Sequence, residues 1–162
     1  MTILEIEMYL RRHHFLIFRF NNDYYTLKKT KSFIKTIYSL IPTDAPSQHG
    51  STLEELCDNV MIENHTSLRE AIQSIVVPDW NDSSWESFEA IRHCAIVHGS
   101  EIKFFYEGKD YWIAHVDSCS FHLSDNAGDT QVFASCRELF SCARINGKTL
   151  KEIWNNVIVD AC

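Results

Sequence analysis

Two ordered blocks of self-similarity restrict the fold of this chain more than any other feature of its sequence. Residues 50–63 lie over residues 147–160 with six identities in fourteen positions, among them Gly50/Gly147, Thr52/Thr149 and Val60/Val157. Upstream, Leu16, Phe18, Phe20, Asp23, Tyr24 and Tyr25 match Ile102, Phe104, Tyr106, Asp110, Tyr111 and Trp112 in the same order, with ten more residues between the blocks in the second copy. Two blocks that keep their order imply an internal duplication.

Each copy reads as the same run of elements. Thr2 to Glu5 and Ser83 to Glu86 have the Ser/Thr-x-x-Glu form that satisfies free amides at a helix start, and helical spacing follows at Ile3, Ile6 and Leu10 and at Trp85, Phe88, Ile91 and Ala95. Residues 15–20 and 101–106 alternate as strands do, turn residues follow, and 23–29 and 110–116 return to complete hairpins. Segments 32–41 and 131–142 carry apolar residues at helical spacing, and a last helix starts at Thr52 or Thr149. The expected fold is α+β, an internal duplication of an α-β-β-α-α unit, with 67–77 as a linker helix closed by Pro78. Residues 1–78 form the first repeat and 79–162 the second. A two-stranded hairpin buries little by itself, so the two hairpins are expected to combine into one antiparallel sheet covered by helices, the repeats packing as one globular unit.

The chain has 162 residues and a formal charge of −7. That charge argues against a nucleic-acid partner, since phosphate neutralisation requires a basic surface. The acidity is uneven: residues 1–78 hold eight Lys or Arg against nine Asp or Glu, and residues 79–162 hold seven against thirteen. Lys28, Lys29, Lys31 and Lys35 gather in the first half, where they read as a solvated edge that discourages strand pairing. No apolar run approaches the length that spans a bilayer, so no membrane partner is expected. The N-terminus has acids within its first apolar stretch, unlike a secretion signal. The six cysteines are therefore expected to be reduced, and the protein cytoplasmic.

Candidate chemistry is sparse. His115, Asp117, Cys119 and His122 offer four metal-ligand types in eight residues, but ligands along one strand stand too far apart to meet a tetrahedral ion. No metal and no cofactor is expected, and those four residues are the weak candidates for a site. His93 and His98, five apart in a helical pattern, fall on different faces. The Gly147-Lys148-Thr149 run lacks a phosphate loop's upstream glycine and reads as a helix cap, and 124–129 reads as a polar turn.

Aromatic residues cluster around the hairpins. If Tyr24 and Tyr111 face inward, then Tyr25 and Trp112 face outward, or the reverse. An outward aromatic beside acidic groups suits a basic protein partner, with Glu107, Asp110, Tyr111, Trp112 and Asp129 as its contact residues. The expected function is that of a small acidic, non-catalytic protein-binding or inhibitory module, immunity-like in profile. The alternative is an enzyme or small-ligand protein with a site between the repeats.

Overall fold

A computed structural model describes residues 1–79, 86–117 and 120–161. Helices combine with antiparallel sheets, an α+β architecture. The chain divides into two compact units, Met1–Asn81 and Asp82–Cys162.

In the first unit, Thr2 and Glu5 exchange reciprocal bonds at the start of α1 (Ile3–His13), and Arg11, Arg12 and His13 sit in its last turn, where the helix dipole favours positive charge. Its stripe of Ile6 and Leu10 is buried. A two-residue turn, Asn21-Asn22, joins β1 (Phe15–Phe20) to β2 (Asp23–Lys31). β3 (Thr36–Pro42) and β4 (Gln48–Gly50) complete a four-stranded sheet in the order β1-β2-β3-β4. There follow α2 (Leu53–Asn59), a short ladder of β5 (Met61–Ile62) and β6 (Thr66–Ser67), and α3 (Leu68–Ala71). Val76 then bridges back to Arg19 on the open edge of β1. The core joins Leu16, Phe18, Tyr25, Leu27, Tyr38 and Leu40 of the sheet to Ile6, Leu10, Leu53, Leu56 and Leu68 of the helices. Ile17, Tyr24 and Thr26, on the other face, are buried too. Residues 16–18 of β1, 24–27 of β2 and 38–40 of β3 are therefore buried on both faces rather than alternating in and out.

The second unit opens with α4 (Phe88–His93), capped by Ser87 and continued by a π-helical turn over Cys94–His98. β7 (Ile102–Tyr106), β8 (Lys109–Asp117), β9 (Ser120–Asp125) and β10 (Thr130–Phe133) follow, then α5 (Cys136–Cys142). A ladder of β11 (Arg144–Ile145) and β12 (Lys148–Thr149) leads to α6 (Leu150–Ile153), and β13 (Ile158–Ala161) returns beside β7. The sheet order is β10-β9-β8-β7-β13. Its inner face packs Ile102, Phe104, Tyr106, Tyr111, Ile113 and Leu123 against Ile91, Leu139, Phe140, Leu150, Ile153 and Trp154.

Both units run through one order of elements: a helix, four strands, a helix, a two-stranded ladder, a helix and a closing extended segment beside the first strand. Details repeat with it. Phe18 stacks on Tyr25 with centroids 5.4 Å apart and 15° between planes, and Phe104 on Tyr111 at 5.3 Å and 15°. Gln48 Nε2 donates to the Met61 carbonyl and Gln131 Nε2 to the Arg144 carbonyl, so each last strand of four reaches the start of the ladder through a side-chain amide. Glu55 and Glu138 both accept from a backbone N–H four residues earlier. Asn21 Nδ2, at the first hairpin turn, donates to Glu63 at 2.7 Å. In the second unit Asn146 Nδ2 donates to Glu107, at the hairpin turn, also at 2.7 Å. The two partners have exchanged places.

Several expectations fail for identifiable reasons. The unit is not α-β-β-α-α, because residues 32–41 supply strand β3: Thr36, Ile37 and Ile41 are β-branched, and the two-fold alternation of Tyr38 and Leu40 buries them. Residues 131–142 divide, with the end of β10 preceding α5 at its Ser135 cap. The hairpins do not combine, since each lies in a sheet completed by strands of its own unit. Thr52 and Thr149 do not occupy matching places. Thr52 caps α2, whose counterpart α5 is capped by Ser135, whereas Thr149 caps α6 with the same reciprocal box that Ser67 forms on α3. Of 67–77 only Leu68–Ala71 is helical. The cap expected at Ser83, together with Trp80 and Trp85, lies outside the described residues.

Candidate functional site

The second unit carries two features that could meet another molecule: a polar cavity at one end of its sheet, and the sheet face opposite its core. The cavity, of about 240 Å³, is lined by residues from the β7–β8 hairpin, the β9–β10 loop and the β11–β12 turn. Asp125 organises it. Its Oδ1 accepts from the backbone N–H groups of Ala127 and Asp129 at 2.9 and 3.0 Å, which folds the loop back on itself, and its Oδ2 accepts from Lys109 Nζ at 2.7 Å. The Asp125 side chain is only 5% exposed. Lys109, followed by the two backbone donors, holds its carboxyl below the usual range. Gly128 takes a φ of 94° in this loop, where a side chain would be strained. Opposite, Gln131 clasps the backbone of Arg144 from both sides, donating to its carbonyl at 2.6 Å and accepting from its N–H at 3.1 Å.

The expected contact residues divide between these features. Tyr111 and Asp129 line the cavity. Glu107, exposed at the hairpin turn, joins them through Asn146, and its hydrogen bonds from Tyr106 and then Asn146 lower its pKa. Tyr111 is buried on the inner face against Phe104, and burial raises its pKa. Asp110 and Trp112 lie on the opposite face. The inward pair is thus Tyr25 and Tyr111, with Tyr24 and Trp112 outward. Both hairpin turns have two residues, so one offset holds through them and Tyr25, not Tyr24, is the counterpart of Tyr111.

That outer face is mixed, with exposed apolar side chains set among Lys103, Asp110, His122, Ser124 and Thr130. Phe105, Val132 and Ile158, with Val116 at the irregular end of β8, are 40 to 65% exposed, and half-buried Trp112 and Ala114 lie among them. Lys103, whose Nζ is 5.9 Å from the Trp112 ring centroid, pairs with Asp160 at 2.5 Å. Asp110 and Glu101 form no ion pair among the described residues.

The histidine and cysteine candidates do not assemble. His115 pairs across the strands with Phe121 and stacks on it at 4.5 Å, on the inner face, whereas His122 pairs with Ala114 on the outer one. Cys119 and the Asp117 side chain lie outside the described residues. His93 and His98 do meet, with ring centroids 5.9 Å apart, because the π-helical turn brings residues five apart into line. His93 is buried. Among the described residues no three His, Cys, Asp or Glu side chains are grouped to hold a metal ion.

Lys109, Asp125, Gln131, Arg144 and Asn146 were not picked out from sequence. A usable signal existed for Asp125: it continues the inward alternation of Phe121 and Leu123, and an acid at a core-facing position calls for a partner. The fold and both features define an α+β chain of two similarly ordered units, the second with a built polar cavity and a sheet face that exposes apolar side chains among polar ones. Comparison with protein-family models, with curated proteins and with solved structures finds no match.

Proposed function

We propose that this chain is a non-catalytic protein-binding module that inhibits or sequesters a basic protein, and that it does so through the second unit. The observation that carries this reading is the outer sheet face, where Phe105, Trp112, Val116, Val132 and Ile158 stand in or near solvent. Several exposed apolar groups on one sheet face mark interaction surfaces, whereas apolar groups scattered singly over a protein need no explanation. The surplus of six acids in residues 79–162 selects a basic partner. Charge governs how fast the two proteins meet, and the desolvated aromatic governs how long they stay together. Asp110, Glu107 and Asp129 serve the first role and Trp112 the second. The predicted compartment remains the cytoplasm; among the described residues no helix is long and apolar enough to cross a membrane.

Photo-crosslinkers placed singly at Phe105, Val132 and, as a control, Lys28 test the reading. Recovery of one basic protein from the first two positions, with association slowed by neutralising Glu107, Asp110 and Asp129 and dissociation hastened by Trp112→Ala, is the expected result. A partner that crosslinks at Lys28 and ignores the acidic and aromatic changes places the working surface on the other unit and overturns it.

We also infer that the two units descend from one ancestral unit. The stacked Phe–Tyr pairs, the paired glutamine contacts and the exchanged Asn–Glu bond support this, each recurring at the same step of the element order. An experimental structure whose units fail to superpose through those pairs would refute it.

A further inference from the structure

The two most exposed large apolar side chains of the described residues sit side by side at a hairpin tip. Phe33 and Ile34 are fully exposed, at 110 and 94%, between β2 and β3. Hydrogen bonds close the tip: Ser32 N–H donates to the Lys35 carbonyl at 2.9 Å, and Ser32 Oγ accepts from Lys35 N–H at 3.3 Å. It also projects. β1 pairs with β2 only as far as Lys28, and β4 pairs with β3 only from Tyr38 inward, so Thr30–Ile37 and Lys31–Thr36 pair with each other alone. These two pairs and the turn form an arm of roughly 10 Å beyond the flanking strands.

Residues 28–37 contain four lysines and no acid, in a chain of net charge −7. Lys29 is held against the body of its unit by Glu7 at 2.5 Å. Lys28, Lys31 and Lys35 are exposed and form no ion pair among the described residues.

We propose that this arm is a membrane-surface anchor, in which Phe33 and Ile34 enter the interface of an anionic lipid bilayer while Lys31 and Lys35, with Lys28 behind them, bind its headgroups. The shape favours a lipid surface over a protein. A convex tip of two side chains requires a fitted cavity in a protein partner, whereas a bilayer interface accepts any apolar projection and supplies the complementary negative charge. Lying on a membrane needs no spanning segment, so the lack of a long apolar helix among the described residues does not oppose it. The site is on the first unit and is independent of the partner surface proposed for the second.

Co-sedimentation of the full chain with vesicles of phosphatidylcholine alone, or with about one third phosphatidylserine, tests the anchor. The wild-type chain is expected to partition onto the anionic vesicles and not the neutral ones. Phe33→Ser with Ile34→Ser is expected to lower that partition by about tenfold or more, and Lys31→Ser with Lys35→Ser to lower it and flatten its salt dependence. The Phe33→Trp variant, compared with wild type, is expected to show added emission that brominated anionic lipid quenches. Equal partition onto both vesicle types, no partition, binding by the double-serine tip variant equal to wild type, or added emission that the brominated lipid leaves unquenched would each overturn the proposal. A tip that serves a soluble protein instead leaves the wild-type chain in the supernatant.

Discussion

Glu7 shows how one side chain can tie an element to a sheet. It lies on α1, and its carboxylate accepts from Lys29 Nζ at 2.5 Å and from Tyr38 Oη at 2.8 and 3.0 Å, joining the helix to β2 and β3. Partial burial opposes the charge, but Lys29 and then Tyr38 outweigh it and hold the Glu7 pKa below its ordinary value. A carboxylate whose pKa falls on folding stabilises the native state fully above the ordinary glutamate range. That contribution is lost as pH falls through the lower, folded-state value. Glu7→Ala is expected to cost about 2 kcal/mol at neutral pH, measured by denaturant unfolding, and the gap from wild type should shrink in acid. Cysteine reactivity gives a second residue-level test. Burial pushes the Cys57 and Cys136 thiols up to about 11, whereas Cys142 is exposed. Alkylation at mildly alkaline pH, followed by peptide mapping, should label Cys142 well before those two, because only thiolates react.

At the scale of elements, the hairpin-to-ladder bond offers a direct exchange experiment. Asn21→Glu alone sets two carboxylates against each other at Glu63, and Glu63→Asn alone leaves two amides. The double exchange reproduces the arrangement of Glu107 and Asn146. Each single variant should melt below wild type and the double variant should recover, with Glu tolerated at the turn because Glu107 already takes a φ of 46° where Asn21 takes 51°. Deeper in the sheet, Phe104→Ala removes a fully buried ring stacked on Tyr111 and is expected to cost roughly 3 to 5 kcal/mol. The same scale shows what the sequence made legible. The first helix and both hairpins could be read because a cap, an alternation and a turn agree locally. β3 was misread because Phe33, Ile34, Ile37, Leu40 and Ile41 satisfy a helical spacing by coincidence, and only strand pairing decides that Tyr38 and Leu40 face the core. The helical spacing also conceals the arm, since a helix places Phe33 and Ile34 inside. The cavity escaped notice because its residues come from three separated segments that only the sheet brings together.

For the molecule as a whole, the consequence of two sheets rather than one is that each unit has its own hydrophobic cluster. Residues 82–162 expressed alone are therefore expected to fold, giving a cooperative thermal transition and a dispersed amide spectrum, and to retain whatever binding the outer face confers. A fragment that stays unfolded would show that its core of Ile91, Phe104, Leu139, Leu150 and Ile153 is insufficient alone. The two proposed surfaces also differ in sign, since the second unit presents acids beside aromatics and the first presents lysines around an apolar tip. One chain could then hold a basic protein while resting on an anionic surface.

The exchanged Asn–Glu bond also bears on how the protein ages. Asn146 is followed by Gly147, and both are exposed, with φ of 52° and 80°. Glycine has no Cβ to obstruct its own nitrogen, so the attack of that nitrogen on the preceding side-chain amide, which expels ammonia and closes a succinimide, meets little hindrance. Hydrolysis then leaves an acid where Asn146 had donated to Glu107, and attraction between turn and hairpin becomes repulsion. In the first unit the amide is Asn21, and the next residue, Asn22, carries a side chain that hinders the same reaction. The second unit is accordingly the one with a limited chemical lifetime, and old preparations should accumulate their charge variants at Asn146 first.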